Sequence, residues 1–263
     1  MPEKEFDKNN LFDEFIDKVD DDRNKIGYFS YFFSNIKGTE FETELMTTKY
    51  SLIEAKFTNI LNALNEIDDD THKTDLFVNL ISSIKGTRLL EENFTAILNT
   101  LDKIDDDYDK RSAFSTLIYS IEGTRLLEEN FTAILNSLDK IDGYERKHAF
   151  STLIYSIEGT CLLEENFTAI LNSFDKIDDD GKRSAFYELI SIIKGTHLLE
   201  EKFTDILNSL DKFSGEDKIY AFSYVISAIK GRKLNKEKVT LIKERFPEYT
   251  VELEEMLKKE ENS

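Results

Sequence analysis

The stretch Gly86-Thr87-Arg88-Leu89-Leu90-Glu91-Glu92-Asn93-Phe94-Thr95-Ala96-Ile97-Leu98-Asn99 decides the fold, because the chain uses it again. It recurs unchanged from Gly123 to Asn136, with Cys161 in place of the arginine from Gly159 to Asn172, and more loosely from Gly195 to Asn208. The turn glycines Gly38, Gly86, Gly123, Gly159, Gly195 and Gly231 are separated by 48, 37, 36, 36 and 36 residues. Self-similarity at such a period marks supersecondary units that stack on one another. The longer first step carries an insertion between Gly38 and Phe57. There Thr39 to Tyr50 reads either as a lengthened first helix or as an extra short one.

Each copy holds two helical patterns. The first helix is expected over Thr87 to Ile104, where Leu90, Phe94, Ile97, Leu98, Leu101 and Ile104 share one face at about 100° per residue. The second follows Asp105-Asp106-Asp107 and runs to Glu122, with Ala113, Phe114, Leu117, Ile118 and Ile121 as its stripe. Gly123 supplies the left-handed residue that ends a helix, and Thr124 is expected to cap the next one. The Asp run caps the second helix and favours its positive end. A hairpin with one apolar side cannot bury it alone, so the expectation is an all-α, right-handed α-solenoid of about six such hairpins. The array is placed at residues 1–231, with C-terminal capping helices over 232–263, as one continuous domain. Its first unit draws on Phe12, Ile16 and Val19, then on Tyr28, Phe29, Phe32, Phe33 and Ile36. The cap is expected as a helix from Asn235 to Phe246, a break at Pro247 and a further helix to about Lys259.

The pattern resembles the HEAT-like family of α-solenoids. Asp106 with Arg111-Ser112-Ala113-Phe114, and Asp179 with Arg183-Ser184-Ala185-Phe186, look like the Asp-turn and early basic residue of those units. The chain departs from them at Gly143, which stands in the Asp place, and at Gly215 with Ile219-Tyr220-Ala221. The family's usual first-helix proline is absent throughout. The resemblance implies an architecture in which the second helices line the concave side, and it implies no particular function.

Composition narrows the rest. Asp plus Glu number 53 against 34 Lys plus Arg, a net charge of −19, which disfavours any grip on a phosphate backbone. A single cysteine, Cys161, allows no internal disulfide, and the charged first residues lack the apolar run of a signal peptide. A cytoplasmic protein is therefore expected, with no membrane contact. No phosphate-cradling loop occurs, and His72, His148 and His197 fall in different copies with no second histidine at i+4. No catalytic residue, cofactor or metal is expected, so the chain is read as a non-enzyme. Four Asp runs (Asp20–Asp22, Asp68–Asp70, Asp105–Asp107 and Asp178–Asp180) raise calcium, which takes six to eight oxygens; helix capping accounts for them without an ion.

Two faces compete as a binding surface. On the first helices Thr95 and Asn99, Thr132 and Asn136, Thr168 and Asn172, and Thr204 and Asn208 form rows, read either as a ladder for an extended peptide or as duplicated solvated positions. The outward face of the second helices is nearly uncharged and changes between copies. It carries Ser112, Thr116 and Tyr119, then His148, Thr152 and Tyr155, then Tyr187 and Glu188, then Tyr220 and Tyr224. Tyrosine is enriched where partners bind, so these ten residues are the candidate partner-binding site. The expected function is a scaffold that binds another protein or peptide there. The alternative is an acidic decoy that occupies the nucleic-acid site of a basic partner. From Lys230 to Arg245, seven basic residues stand against Glu237 and Glu244. That basic end suggests an acidic partner there, weak head-to-tail self-association, or a solvated cap that satisfies the last helix carbonyls.

Overall fold

The computed structural model describes residues 50–230, 236–247 and 250. Expectations for the first unit, the Thr39–Tyr50 insertion up to residue 49, Asp20–Asp22, Gly231 and the helix beyond residue 250 lie outside the described residues. Among the described residues all regular structure is helical, as the all-α expectation requires. Helix α1 spans Tyr50–Asn65 and α2 spans Asp70–Ile84. The next copy opens with two short helices, α3 (Arg88–Glu92) and α4 (Phe94–Leu101), and closes with α5 (Asp107–Ile121). Helices α6 (Arg125–Ser137) and α7 (Gly143–Ser156) follow. Then come α8 (Cys161–Glu165), α9 (Phe167–Ser173) and α10 (Asp179–Ile193). The last copy holds α11 (Leu198–Glu201), α12 (Phe203–Ser209) and α13 (Gly215–Ile229), and α14 spans Lys236–Arg245.

The local chemistry corrects the expectation in two places. First, the long first helix is broken in three of the four copies with the repeated motif. The break falls at Asn93 (φ −108°, ψ 9°), Asn166 (−106°, 9°) and Lys202 (−95°, 14°). The asparagine is not its cause. Asn93, Asn130 and Asn166 each donate Nδ2 to the carbonyl four residues back, yet α6 runs unbroken through Asn130 and the lysine at 202 has no such amide. Second, the Thr after each turn glycine does not cap the helix that follows. Thr87, Thr124, Thr160 and Thr196 instead donate their hydroxyls backwards, to the carbonyls of Ile84, Ile121, Ile157 and Ile193 at 2.6–2.7 Å. They satisfy C-terminal orphan acceptors rather than N-terminal donors. Asp capping holds: Asp69, Asp106 and Asp178 accept from the amides of His72, Asp109 and Gly181. The turn glycines Gly86, Gly123, Gly159 and Gly195 have φ of 74°, 69°, 72° and 92°, a region that costs a side-chain-bearing residue about 1–2 kcal/mol.

The molecule divides into two compact units, one ending at Asn130 and one beginning at Phe131. In the first, α2 lies along α5, and Phe77, Leu80, Ile81, Phe114, Leu117 and Ile118 are wholly buried. Each such side chain contributes about 1.5–3 kcal/mol by leaving water. In the second, α7 lies along α10 and α10 along α13. The rings of Phe150, Phe174, Phe186 and Phe213 touch in sequence, with centroids 5.1, 5.9 and 5.2 Å apart. Helix α14 closes this core: Ile242 is buried, and Phe246 stacks on Phe222 at 4.4 Å.

A polar seam follows the same repeat. In the second unit Lys176 pairs with Asp139, Lys212 with Asp175 at 2.6 Å, and Arg245 with Asp211 at 2.7 Å. Asp175-Lys176 and Asp211-Lys212 thus each meet the preceding copy through the lysine and the following element through the aspartate. A second seam starts from the basic residue four positions after the cap. Lys73 donates to the Lys103 carbonyl, and Arg146 donates to the Lys176 carbonyl, each reaching the next copy. This basic residue also stands at Lys110, Lys182 and Lys218, one position before the Arg111 and Arg183 singled out in the sequence.

Candidate functional site

In the first unit the candidate residues sit on α5. Ser112 and Thr116 are half-buried and Tyr119 is exposed. The Thr116 hydroxyl donates to the Ser112 carbonyl at 3.1 Å, so it turns toward its own backbone. Lys85, at the end of α2, donates to the Tyr119 carbonyl at 2.9 Å and ties the two second helices together. Tyr108, at the start of α5, is exposed and carries the Arg111 guanidinium 4.7 Å from its ring centre.

The second unit brings more of the predicted residues together. On α7, His148 and Thr152 are half-buried and Tyr155 is exposed. Thr152 donates to the His148 carbonyl at 3.0 Å, the same inward turn as Thr116. On α10, Tyr187 is exposed and Glu188 half-buried; on α13, Tyr220 is exposed and Tyr224 half-buried. The Tyr187 and Tyr224 rings meet edge to face at 4.8 Å. The Glu188 carboxylate accepts from the Ser151 hydroxyl across the α7–α10 seam. One helical turn beyond Ser151 stands Tyr155 on the same face. Burial, followed by the charges of Glu188 and Glu158 and then the Tyr187 phenol, pushes the Tyr155 hydroxyl above the ordinary tyrosine range. At the other end of the face His148 meets Tyr144 edge to face at 4.4 Å, and Lys147 lies 5.2 Å over the Tyr144 ring. Arg183 pairs with Asp217 at 2.8 Å and lies 5.0 Å over Tyr220.

Sequence reasoning missed Tyr108, Tyr144 and Ile219, which are exposed beside the predicted set. Their signal was present: each falls in the first two turns of a second helix, off the apolar stripe, where a large apolar side chain has no core to enter. The rival face on the first helices is exposed but small. Thr95, Asn99, Thr132, Asn136, Thr168, Asn172, Thr204 and Asn208 are all open, and Asn208 accepts from Arg245 to help seat α14.

The Asp runs are engaged by backbone. Asp69, Asp106 and Asp178 cap, and Asp70 Oδ2 accepts from the amides of Asp105 and Asp106 at 3.0 and 2.8 Å. Burial works to raise the Asp70 carboxyl. The Asp106 amide, the Lys73 ammonium and the Asp105 amide outweigh it and hold the group below the usual carboxylate range. Among the described residues one group of side chains could hold a cation. Glu164, His197 and Glu201 are all exposed, each offers one ligand atom, and these atoms lie within 4.8 Å of one another. The i+4 rule overlooked it because Glu164 comes from the preceding copy, 3.4 Å from His197 Nε2. Where His197 stands, Arg88 and Arg125 of the earlier copies pair with Glu92 and Glu129. Cys161, at the same place in the third copy, is exposed. Among the described residues no helix is long and apolar enough to cross a membrane. Comparison of the chain with protein-family models, curated proteins and solved structures gives no match, so its function rests on this geometry alone.

Proposed function

We propose that the protein is a non-enzymatic scaffold that binds another protein or peptide on the tyrosine-bearing face of its second helices. In this reading six hairpins stack into a HEAT-like, right-handed solenoid within the cytoplasm, and the second helices line its inner side. One observation carries the proposal. Every large apolar residue that stands exposed among the described residues lies on α5, α7, α10 or α13, and all but Ile219 are tyrosines. The first helices expose Thr, Ala, Asn and charged side chains instead. Rigid tyrosines offer contact area at low entropic cost, and the hydroxyls of Thr116 and Thr152 already donate within their own helices.

The test captures partners on the immobilised full chain at about 0.15 M and about 1 M salt, where the screening length falls from about 8 to 3 Å. Replacing Tyr155 and Tyr187 by Ala should weaken the captured partner by about 2 kcal/mol or more if these rings are anchors. Retained affinity in that variant, with loss on Asn136→Ala plus Asn172→Ala, would move the site to the first helices. Binding abolished by salt yet indifferent to the tyrosines would favour the acidic decoy, for which the net charge of −19 is the supporting fact.

A further inference from the structure

The two seams between second helices in the second unit carry a carboxylate that differs in kind from its surroundings. At the four outward positions of α5, α7, α10 and α13 the copies hold Ser, His, Ser, Tyr; Ser, Ser, Tyr, Ser; Thr, Thr, Glu, Tyr; and Tyr, Tyr, Ser, Ser. Glu188 is the one acidic side chain in those sixteen places. It is half-buried, the Ser151 hydroxyl fixes it, and among the described residues no cation pairs with it. Of the basic side chains on α7 and α10, Lys147 lies over Tyr144, and Arg183 is paired with Asp217 and lies over Tyr220. Around Glu188 stand Tyr155, one turn above the Ser151 anchor, and Tyr187 with Tyr224 against it at 4.8 Å.

A half-buried carboxylate with tyrosine side chains beside it suits an organic cation. The ring quadrupoles attract it and the carboxylate neutralises it. We infer that Glu188, Tyr155 and Tyr187 form the seat for a Lys or Arg side chain of the peptide segment that docks on this face. The inference rests on the scaffold reading and adds the partner's chemistry to it. Thr116, Thr152 and Tyr224 at the equivalent places carry no such charge, so among α5, α7, α10 and α13 this seat occurs once and sets where along the face the partner's cation must lie.

The test uses the full chain labelled with fluorotyrosine, the Tyr155 and Tyr187 signals being assigned by Tyr→Phe substitution. The probes are n-butylammonium, which is the end of a lysine, methylguanidinium, which is the end of an arginine, and n-butanol as the neutral counterpart; sodium chloride matches ionic strength. Both signals should shift saturably with one or both organic cations and not with n-butanol or sodium chloride. Glu188→Gln should weaken the cation about threefold or more, the scale of a partly desolvated cation–aromatic contact. Ser151→Ala, which removes the anchor but keeps the charge, should give a smaller loss. Equal shifts with n-butanol, or an affinity for the cations that Glu188→Gln leaves unchanged, overturn the inference. The two readings fail separately. If a captured partner is lost on Tyr155→Ala plus Tyr187→Ala but is indifferent to Glu188→Gln, the cation seat is wrong and the docking face stands.

Discussion

Asp70 shows how much one side chain can do in a turn that its sequence presents as a mere acidic run. Its carboxylate joins two copies by accepting from two amides of the next turn, and those bonds depend on its charge. Asp70→Ala should therefore cost about 1–3 kcal/mol near neutral pH. The folded pKa lies below the unfolded one, so this stabilisation is complete above the unfolded value of about 3.9 and is lost as pH falls through the folded value. Urea unfolding of both proteins across that range should show the two curves converging in acid; a constant gap would mean that packing, not charge, is responsible. Asp109 behaves in the opposite sense. Burial, reinforced by the charges of Asp106, Asp70 and Asp75, raises its carboxyl against the Thr71 hydrogen bond. The fold thus disfavours its ionised form relative to the unfolded chain. Asp109→Asn should then stabilise slightly at neutral pH, and the gain should disappear as pH falls below the folded pKa and the wild-type group protonates. Neither role could be read from the Asp runs, because both depend on which turn lies beside which.

At the scale of the helix, the second helices were legible nearly to the residue. The apolar stripe, the Asp cap and the left-handed glycine all agree, and the predicted end at Glu122 lies one residue past the observed Ile121. The first helices were not. Their stripe is compatible with one rod, and the breaks at Asn93, Asn166 and Lys202 leave that stripe intact because the flanking leucines and phenylalanines stay buried on both sides. Periodicity reports which face is apolar and is blind to a local unwinding that preserves the face. The frame itself is separable from the site. Phe167→Ala, wholly buried on α9, should cost roughly 3–5 kcal/mol in denaturant unfolding, whereas Tyr155→Ala on α7 should stay within about 0.5 kcal/mol. A large loss for Tyr155 would mean that it is frame rather than anchor. Helix α14 belongs with the frame: Phe246→Ala, which uncovers Phe222, should destabilise by a similar roughly 3–5 kcal/mol. Of the basic residues around it, Arg245 binds Asp211 and Asn208, and Lys238 donates to the Glu200 carbonyl. A visible charge excess in the sequence thus serves in part to hold the last helix in place.

For the molecule as a whole, repetition was plain in the sequence while the joints between copies were not. The dipeptides Asp102-Lys103, Asp139-Lys140, Asp175-Lys176 and Asp211-Lys212 look like surface filler until the second unit shows lysine meeting the aspartate of the copy before it. Each such exposed pair is worth little, about 0–1 kcal/mol, so the pairs set register more than they set stability. Register is what they make transferable. Removing residues 160–195 joins Gly159 to Thr196 and presents Lys212 to Asp139 in place of Lys176, with the same chemistry at the new joint. That shortened chain should fold as a helical protein with a cooperative thermal transition; a molten or aggregating product would show that the copies are not interchangeable. A chain built on such joints can be lengthened or shortened by whole 36-residue steps without a new joint each time.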